Sequence, residues 1–167
     1  MTAPSIPREP GSATTGSGTR LLHLVAVLWV VWGLVHMFAG VMTMARDTAD
    51  AVGGIADAVE PAVLDIEYPD AVGAIVDQHG FNLFWIGAVT LICAAFIWRG
   101  SMPAAFLAAL VGGLADVGYF VFLDLGGHVN FVPGTVMTIV SATAIIATVI
   151  VHRTRSPEPA TDVSRSR

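Results

Sequence analysis

The chain has 167 residues, 54% of them hydrophobic and 13% charged, with a formal net charge of −5 and a mean hydropathy of +0.72. A soluble domain carries about 25% charged residues, so the composition excludes an ordinary soluble enzyme and points to a membrane. The single cysteine, Cys93, excludes an intrachain disulfide and a CxxC redox pair, and eight dispersed arginines without a lysine offer no basic patch for nucleic acid.

Residues 1–19 are rich in Pro, Gly, Ser and Thr, cannot bury a core, and are expected to be a disordered tail. The first apolar run, LLHLVAVLWVVWGLVHMFAGVMTMA, covers 21–45. It is too long for the h-region of a cleaved signal peptide, about 7 to 15 residues, and no A-x-A-like site follows it. Three more runs cover 81–98, 102–123 and 131–151. Each matches the roughly 17 to 25 residues that cross a bilayer as a helix. Lipid leaves no other way to satisfy the backbone, so all four are expected to be α-helices. The expected fold is an all-α, polytopic four-transmembrane-helix bundle over residues 20–152, with a second disordered tail at 153–167.

The connection 46–80 is acidic, with Asp47, Asp50, Asp57, Glu60, Asp65, Glu67, Asp70 and Asp77. Val52, Ile55, Val59 and Val63 recur there at helical spacing, which predicts an amphipathic helix broken near Pro61. Pro69 is expected to open a second short helix through Ala71, Val72, Ile75 and Val76. Acids spread along such a segment read first as a solvated cap and secondly as a lid over a site below.

Arg8, Arg20, Arg99, Arg153 and Arg155 all fall on one side of a four-span arrangement, which the positive-inside rule makes cytoplasmic. The expected location is the cell membrane, multi-pass, with both termini cytoplasmic and the acidic loop extracytoplasmic. That topology gathers scattered polar residues. His36 lies sixteen residues beyond Arg20 and Asp116 fourteen beyond Met102, which at about 1.5 Å per residue places both in the outer leaflet. His79 and Asn82 start the second span, while Asp124, His128 and Asn130 follow the third. His23 and His152 sit near the inner ends.

Helical faces narrow the set. Ala109, Gly112, Gly113, Asp116 and Tyr119 share one face of the third span. Trp32, Gly33, His36, Gly40 and Thr43 share one on the first, and His79, Asn82, Ile86 and Thr90 one on the second. Thr135 and Thr138 come from the fourth. Small residues on these faces allow close approach, as do the Gly pairs at 53–54, 112–113 and 126–127. A buried carboxylate costs about 2.5–3.5 kcal/mol on insertion scales, so Asp116 is expected to face inward, paired with His36.

Three readings of this site follow. Its polar groups simply cross-link helices. Or His36, His79, Asp116 and His128 ligate a metal ion, or paired histidines a haem, in a membrane oxidoreductase, although no compact metal motif such as HExxH is present. Or the site binds a small apolar or quinone-like ligand, or carries protons, or the chain acts as an accessory subunit of a membrane complex. His36, His79, Asn82, Asp116, Tyr119 and Trp32 would then line it, with Trp29, Phe81, Phe84 and Trp85 as apolar surface. The interfacial aromatic belt accounts for Phe81, Trp98 and Phe131. Asp116 and His36 are the candidates for an acid–base pair, yet no nucleophile motif names a reaction, and whether the chain is an enzyme stays open. The expected partners are the lipid bilayer, a small hydrophobic ligand, and a membrane complex or a second copy joined through glycine faces.

Arg20 followed by LLHLVAVLWVVWGLVHMFAG, with Gly33 and His36 forming a GxxH, resembles the small four-helix bacterial membrane proteins of the DoxX-like type. The likeness spans residues 20 to 151. It implies the four-span fold and, through some of those proteins, a link to respiratory or sulfur-related membrane complexes.

Overall fold

The computed structural model describes residues 13–54 and 57–155, with side chains from Ser17 onward. The remaining parts of the predicted tails, Arg8 among them, and Ile55 of the predicted loop helix lie outside the described residues. Five α-helices follow in order: α1 (Ala13–Ala45), α2 (Thr48–Gly54), α3 (Asp70–Trp98), α4 (Met102–Tyr119) and α5 (Val136–Arg155). A 3₁₀ turn covers Pro61–Val63, and wide π turns cover Phe120–Asp124 and Phe131–Thr135. Among the described residues there is no strand, only an isolated bridge between Ala58 and Val129.

Four stretches are long and apolar enough to cross a membrane: Ser17–Ala45, Asp70–Trp98, Met102–Asp124 and Phe131–Arg155. The protein is an all-α, multi-pass bundle. Its outward surface is apolar, with Leu34, Phe38, Leu114 and Phe122 all exposed, as lipid contact requires.

The elements differ from expectation at their ends. Helix α1 begins at Ala13, inside the tail expected at 1–19, and α5 runs on to Arg155. Extending an existing helix adds a hydrogen bond for each residue fixed, and His152, Arg153 and Arg155 in the last turn of α5 suit its negative end. Helix α3 does start directly after Pro69, but it is not a separate short helix. It continues unbroken into the span because Gly80 is a contact residue, buried against α1. The predicted amphipathic helix of the loop is only α2; Gly53 and Gly54 end it, and Asp57 takes a positive φ of 52°. Val59 and Val63 are exposed.

The helices form a ring in which α1 packs most extensively on α3, α3 on α4, α4 on α5 and α5 on α1. Helices α1 and α3 run antiparallel with glycine facing glycine at two levels. A Cβ on Gly87 would stand 2.6 Å from Gly33 O, and one on Gly80 would stand 3.0 Å from Gly40 O. Backbones approach this closely only where side chains are missing. Trp29 and Trp32 of α1, both fully buried, reach across the ring to α4, where Gly112 makes room for the Trp29 ring.

The core is built of Leu22, Val25, Ala26, Trp29 and Trp32 with Ala and Ile from the other helices. It fills the end where Arg155 Nε lies 3.8 Å from a Cβ built on Gly18. His23 stacks on Trp98 at 4.2 Å and Phe106 meets His152 edge-on at 5.2 Å at that end. The opposite end carries α2, the acidic loop and the two π turns, and there the ring is not filled.

Candidate functional site

Most hydroxyls within the spans are satisfied by their own helix. Thr43 donates to Ala39 O, Thr90 to Gly87 O and Thr148 to Ala144 O, at 2.8–2.9 Å. Asp116 is different, because its partner lies on another helix. It is buried, and its Oδ2 accepts a 2.8 Å hydrogen bond from Trp32 Nε1. Asp116 follows Gly112 by one helical turn and Trp32 follows Trp29 by almost one, so the two parallel helices meet twice across the ring. The Ser141 hydroxyl, which donates to Thr138 O at 3.0 Å, also stands beside this carboxylate.

His36 lies one turn above Trp32. Its ring stacks on the indole at 3.5 Å and 18°, and its Nδ1 is 2.8 Å from Trp32 O. Nε2 points at Asp116 Oδ1 across 4.0 Å. Trp32 therefore holds both members of the pair: its indole N–H fixes the carboxylate, while its ring face and carbonyl fix the imidazole.

The pair sits at the foot of a cavity of about 520 Å³. Helix α1 contributes Val35, His36 and Ala39; α3 contributes His79, Asn82, Leu83 and Ile86. The α4 side is Ala115, Asp116, Gly118, Tyr119, Phe122 and Leu123, and the start of the last span adds Pro133, Gly134 and Met137. That size and mixture, apolar walls with a few polar groups, suits a small organic ligand. Tyr119 Oη is buried without a hydrogen-bond partner. The Gly134 backbone abuts this hydroxyl so closely that a Cβ there would fall on it. Asn82, which lines the cavity, accepts through Oδ1 from Trp85 Nε1 at 3.0 Å.

Of the residues singled out from the sequence, His36, His79, Asn82, Asp116 and Tyr119 share this cavity. Trp32 does not line it; it is fully buried behind the pair and acts by positioning. Nor do the other expected aromatics. Trp29 is in the core, Phe84 backs onto Gly40, and Phe81 and Trp85 are on the outer face of α3, whose lining face carries positions 79, 82, 83 and 86.

His128 is also absent from the cavity. The chain turns at Gly127, with a φ of 69°, and carries His128 onto the surface, where its carbonyl accepts from Val59 N at 3.1 Å. The expected metal set of His36, His79, Asp116 and His128 is corrected accordingly. Among the described residues no three His, Cys, Asp or Glu side chains gather as metal ligands.

Sequence reasoning missed Val35, Ala39, Leu83, Ala115 and Gly118 on α1, α3 and α4, and Phe122, Leu123, Pro133, Gly134 and Met137 further along the chain. Phe122 and Leu123 stand three and four residues beyond Tyr119, a spacing that carries the α4 face on into the π turn that holds them. Ser141 had a signal: a small polar residue within an apolar run.

At this end of the bundle the loop is tied to the connection between α4 and α5. Asn130 N and Nδ2 both donate to Asp57 O at 2.9 Å, and the Ala58–Val129 bridge pins the loop to the α4–α5 connection. Asp124 Oδ1 accepts from Thr135 Oγ1 at 2.6 Å, tying the two π turns together.

Comparison with known proteins finds no matching family model, no matching curated protein and no matching solved structure.

Proposed function

We propose that this protein binds a small, largely apolar molecule bearing a hydrogen-bonding head, of the size and shape of a quinone or phenol, in the cavity beside Asp116 and His36. The observation that carries this reading is the imbalance at the foot of the cavity. A membrane-buried carboxylate is costly unless satisfied, yet Asp116 Oδ1 and His36 Nε2 stand 4.0 Å apart at the cavity, too far for a direct hydrogen bond, with the Ser141 hydroxyl beside the carboxylate and the buried Tyr119 Oη without a partner. Interhelical hydrogen bonds yield only about 0.6 kcal/mol on average, so cross-linking alone is a poor reason to place an acid there. The one hydroxyl beside the pair, Ser141, donates to Thr138 O on its own helix and not to the imidazole, so the reading is binding, as a ligand-carrying subunit of a larger membrane assembly, rather than catalysis by this chain alone.

The test uses 1-naphthol titrated into the protein in phosphatidylcholine nanodiscs, following energy transfer from the tryptophans. Saturable transfer is expected for the wild type, with affinity at least tenfold lower for Asp116→Asn and for His36→Ala. Unsaturable transfer, the same for all three proteins, contradicts the reading.

The arginine distribution further assigns the cavity to the extracytoplasmic half. Arg20, Arg99, Arg153 and Arg155 lie at the end where α1 begins and α5 finishes, and the acidic loop lies at the other. Both termini are then cytoplasmic and the membrane is the cell membrane. Cysteines placed at Glu60 and at Gly100 in a Cys93→Ala background test it in intact cells: a membrane-impermeant maleimide labels the first and spares the second. The reverse pattern overturns the orientation while leaving the cavity untouched.

A further inference from the structure

The groups at the foot of the cavity share one hydrogen-bonding character. His36 Nδ1 sits 2.8 Å from the Trp32 carbonyl oxygen, an atom that only accepts, so Nδ1 carries the hydrogen. In the neutral ring, Nε2 is then a bare lone pair. It faces Asp116 Oδ1 at 4.0 Å, beyond direct hydrogen-bond range. The other carboxylate oxygen is already occupied by Trp32 Nε1 at 2.8 Å. Two acceptors therefore stand together, and the hydroxyl beside them, Ser141, has a single hydrogen that it donates to Thr138 O at 3.0 Å, so they can take a further donor. An O–H between them supplies one; a carbonyl oxygen would add a third acceptor. No Arg or Lys lines the cavity to balance an anionic head.

The route to this point lies in the seam between α3 and α4. A Cβ built on Gly118 meets nothing within 4 Å, although Gly118 borders the cavity. One turn further on, Phe122 also borders the cavity and is 75% exposed. Across the seam stands His79, likewise exposed and lining. Helix α4 starts at Met102, so at about 1.5 Å per residue Gly118 and Phe122 lie roughly 24 and 30 Å along it, within a hydrocarbon core about 30 Å thick. The opening therefore faces acyl chains, with its upper rim at the headgroup boundary.

We propose that the cavity receives the hydroxyl-bearing head of a neutral, membrane-dissolved amphiphile, an alcohol or phenol with an apolar tail, admitted sideways from the bilayer between α3 and α4. This narrows the binding function proposed above and rests on it. The tail stays in the seam beside Gly118 and Phe122, and the hydroxyl donates to Asp116 Oδ1 or His36 Nε2.

Photolabelling tests both parts. The probe is 4-dodecylphenol carrying a diazirine in its tail, applied to the full chain in phosphatidylcholine nanodiscs, with adducts mapped by mass spectrometry. Adducts are expected on α3 and α4 around Leu83, Gly118 and Phe122. Unlabelled 4-dodecylphenol should compete at least tenfold better than its methyl ether or than dodecylbenzoquinone, and Gly118→Phe should cut labelling about tenfold. Equal competition by the ether or the quinone overturns the donor head. Competition by 4-phenolsulfonate, which stays in water, or full labelling of Gly118→Phe, overturns the sideways route. If 1-naphthol binds saturably and these outcomes fail, this inference alone falls; if 1-naphthol does not bind, the cavity reading falls with it.

Discussion

Asp116, Trp32 and His36 act as one unit, because each fixes the next. Replacing Asp116 by Asn keeps an oxygen for the Trp32 N–H, so folding should survive while probe binding drops. Replacing it by Leu leaves that indole N–H buried and unpaired. An unpaired buried donor costs about 1–3 kcal/mol, and thermal unfolding in detergent should show Asp116→Leu melting well below Asp116→Asn. Tyr119 gives the opposite signature. Its hydroxyl is buried without a partner, so Tyr119→Phe removes a desolvated group that contributes nothing to folding. The variant should unfold at the wild-type temperature or slightly higher and yet bind 1-naphthol several-fold more weakly. A lower melting temperature with unchanged binding would show that the hydroxyl is structural. Asp116 and His36 were legible in the sequence because ionisable residues inside apolar runs are rare and costly. Trp32 was legible as an aromatic near them, but its role behind the pair depends on ring orientation, which spacing does not encode.

At the scale of the helices, glycine is used in two ways that the sequence does not separate. Gly112 is a packing surface, where a Cβ would stand 2.8 Å from Trp29 Cη2. Overpacking of that kind costs about 1–3 kcal/mol. Gly118, less than two turns away, has nothing within 4 Å of its Cβ position. There Ala should be neutral or stabilising by up to about 1 kcal/mol, the difference in helix propensity. Comparing Gly112→Ala with Gly118→Ala by thermal unfolding checks the assignment; equal effects would show that the α4 face is placed wrongly. The four spans and their inward faces could be read from apolar length and from residues three or four apart. The ends could not. Gly80 is the last residue of the expected connection, whereas here it lies within α3 at the point where that helix meets Gly40 of α1.

For the whole molecule, packing is uneven along the bundle axis. The arginine end is filled by Trp29, Trp32, Ile97 and small residues, while the other end holds the cavity and carries the pinned loop. The pin is a few hydrogen bonds through Asn130, each contributing about 0.5–1.5 kcal/mol. Asn130→Ala should therefore speed amide hydrogen exchange at residues 57–60 and leave that of α1 and α3 unchanged; equal acceleration throughout would mean that the loop is part of the core. The sequence showed that polar residues converge at one end because topology alone carries them there. It could not show that His128 leaves the group, since that depends on a single positive φ at Gly127. Everything rests on His36 of the first span meeting Asp116 of the third, and magic-angle-spinning NMR in lipid bilayers measures that contact without any ligand. With ¹⁵N-histidine and ¹³C-aspartate labels, and His36→Gln to assign the signal, dipolar recoupling should show His36 Nε2 coupled to the Asp116 carboxyl carbon, as expected when Nε2 stands 4.0 Å from Oδ1, with the hydrogen on Nδ1. Absence of any His36–Asp116 coupling, in protein that is folded and helical, would contradict the account.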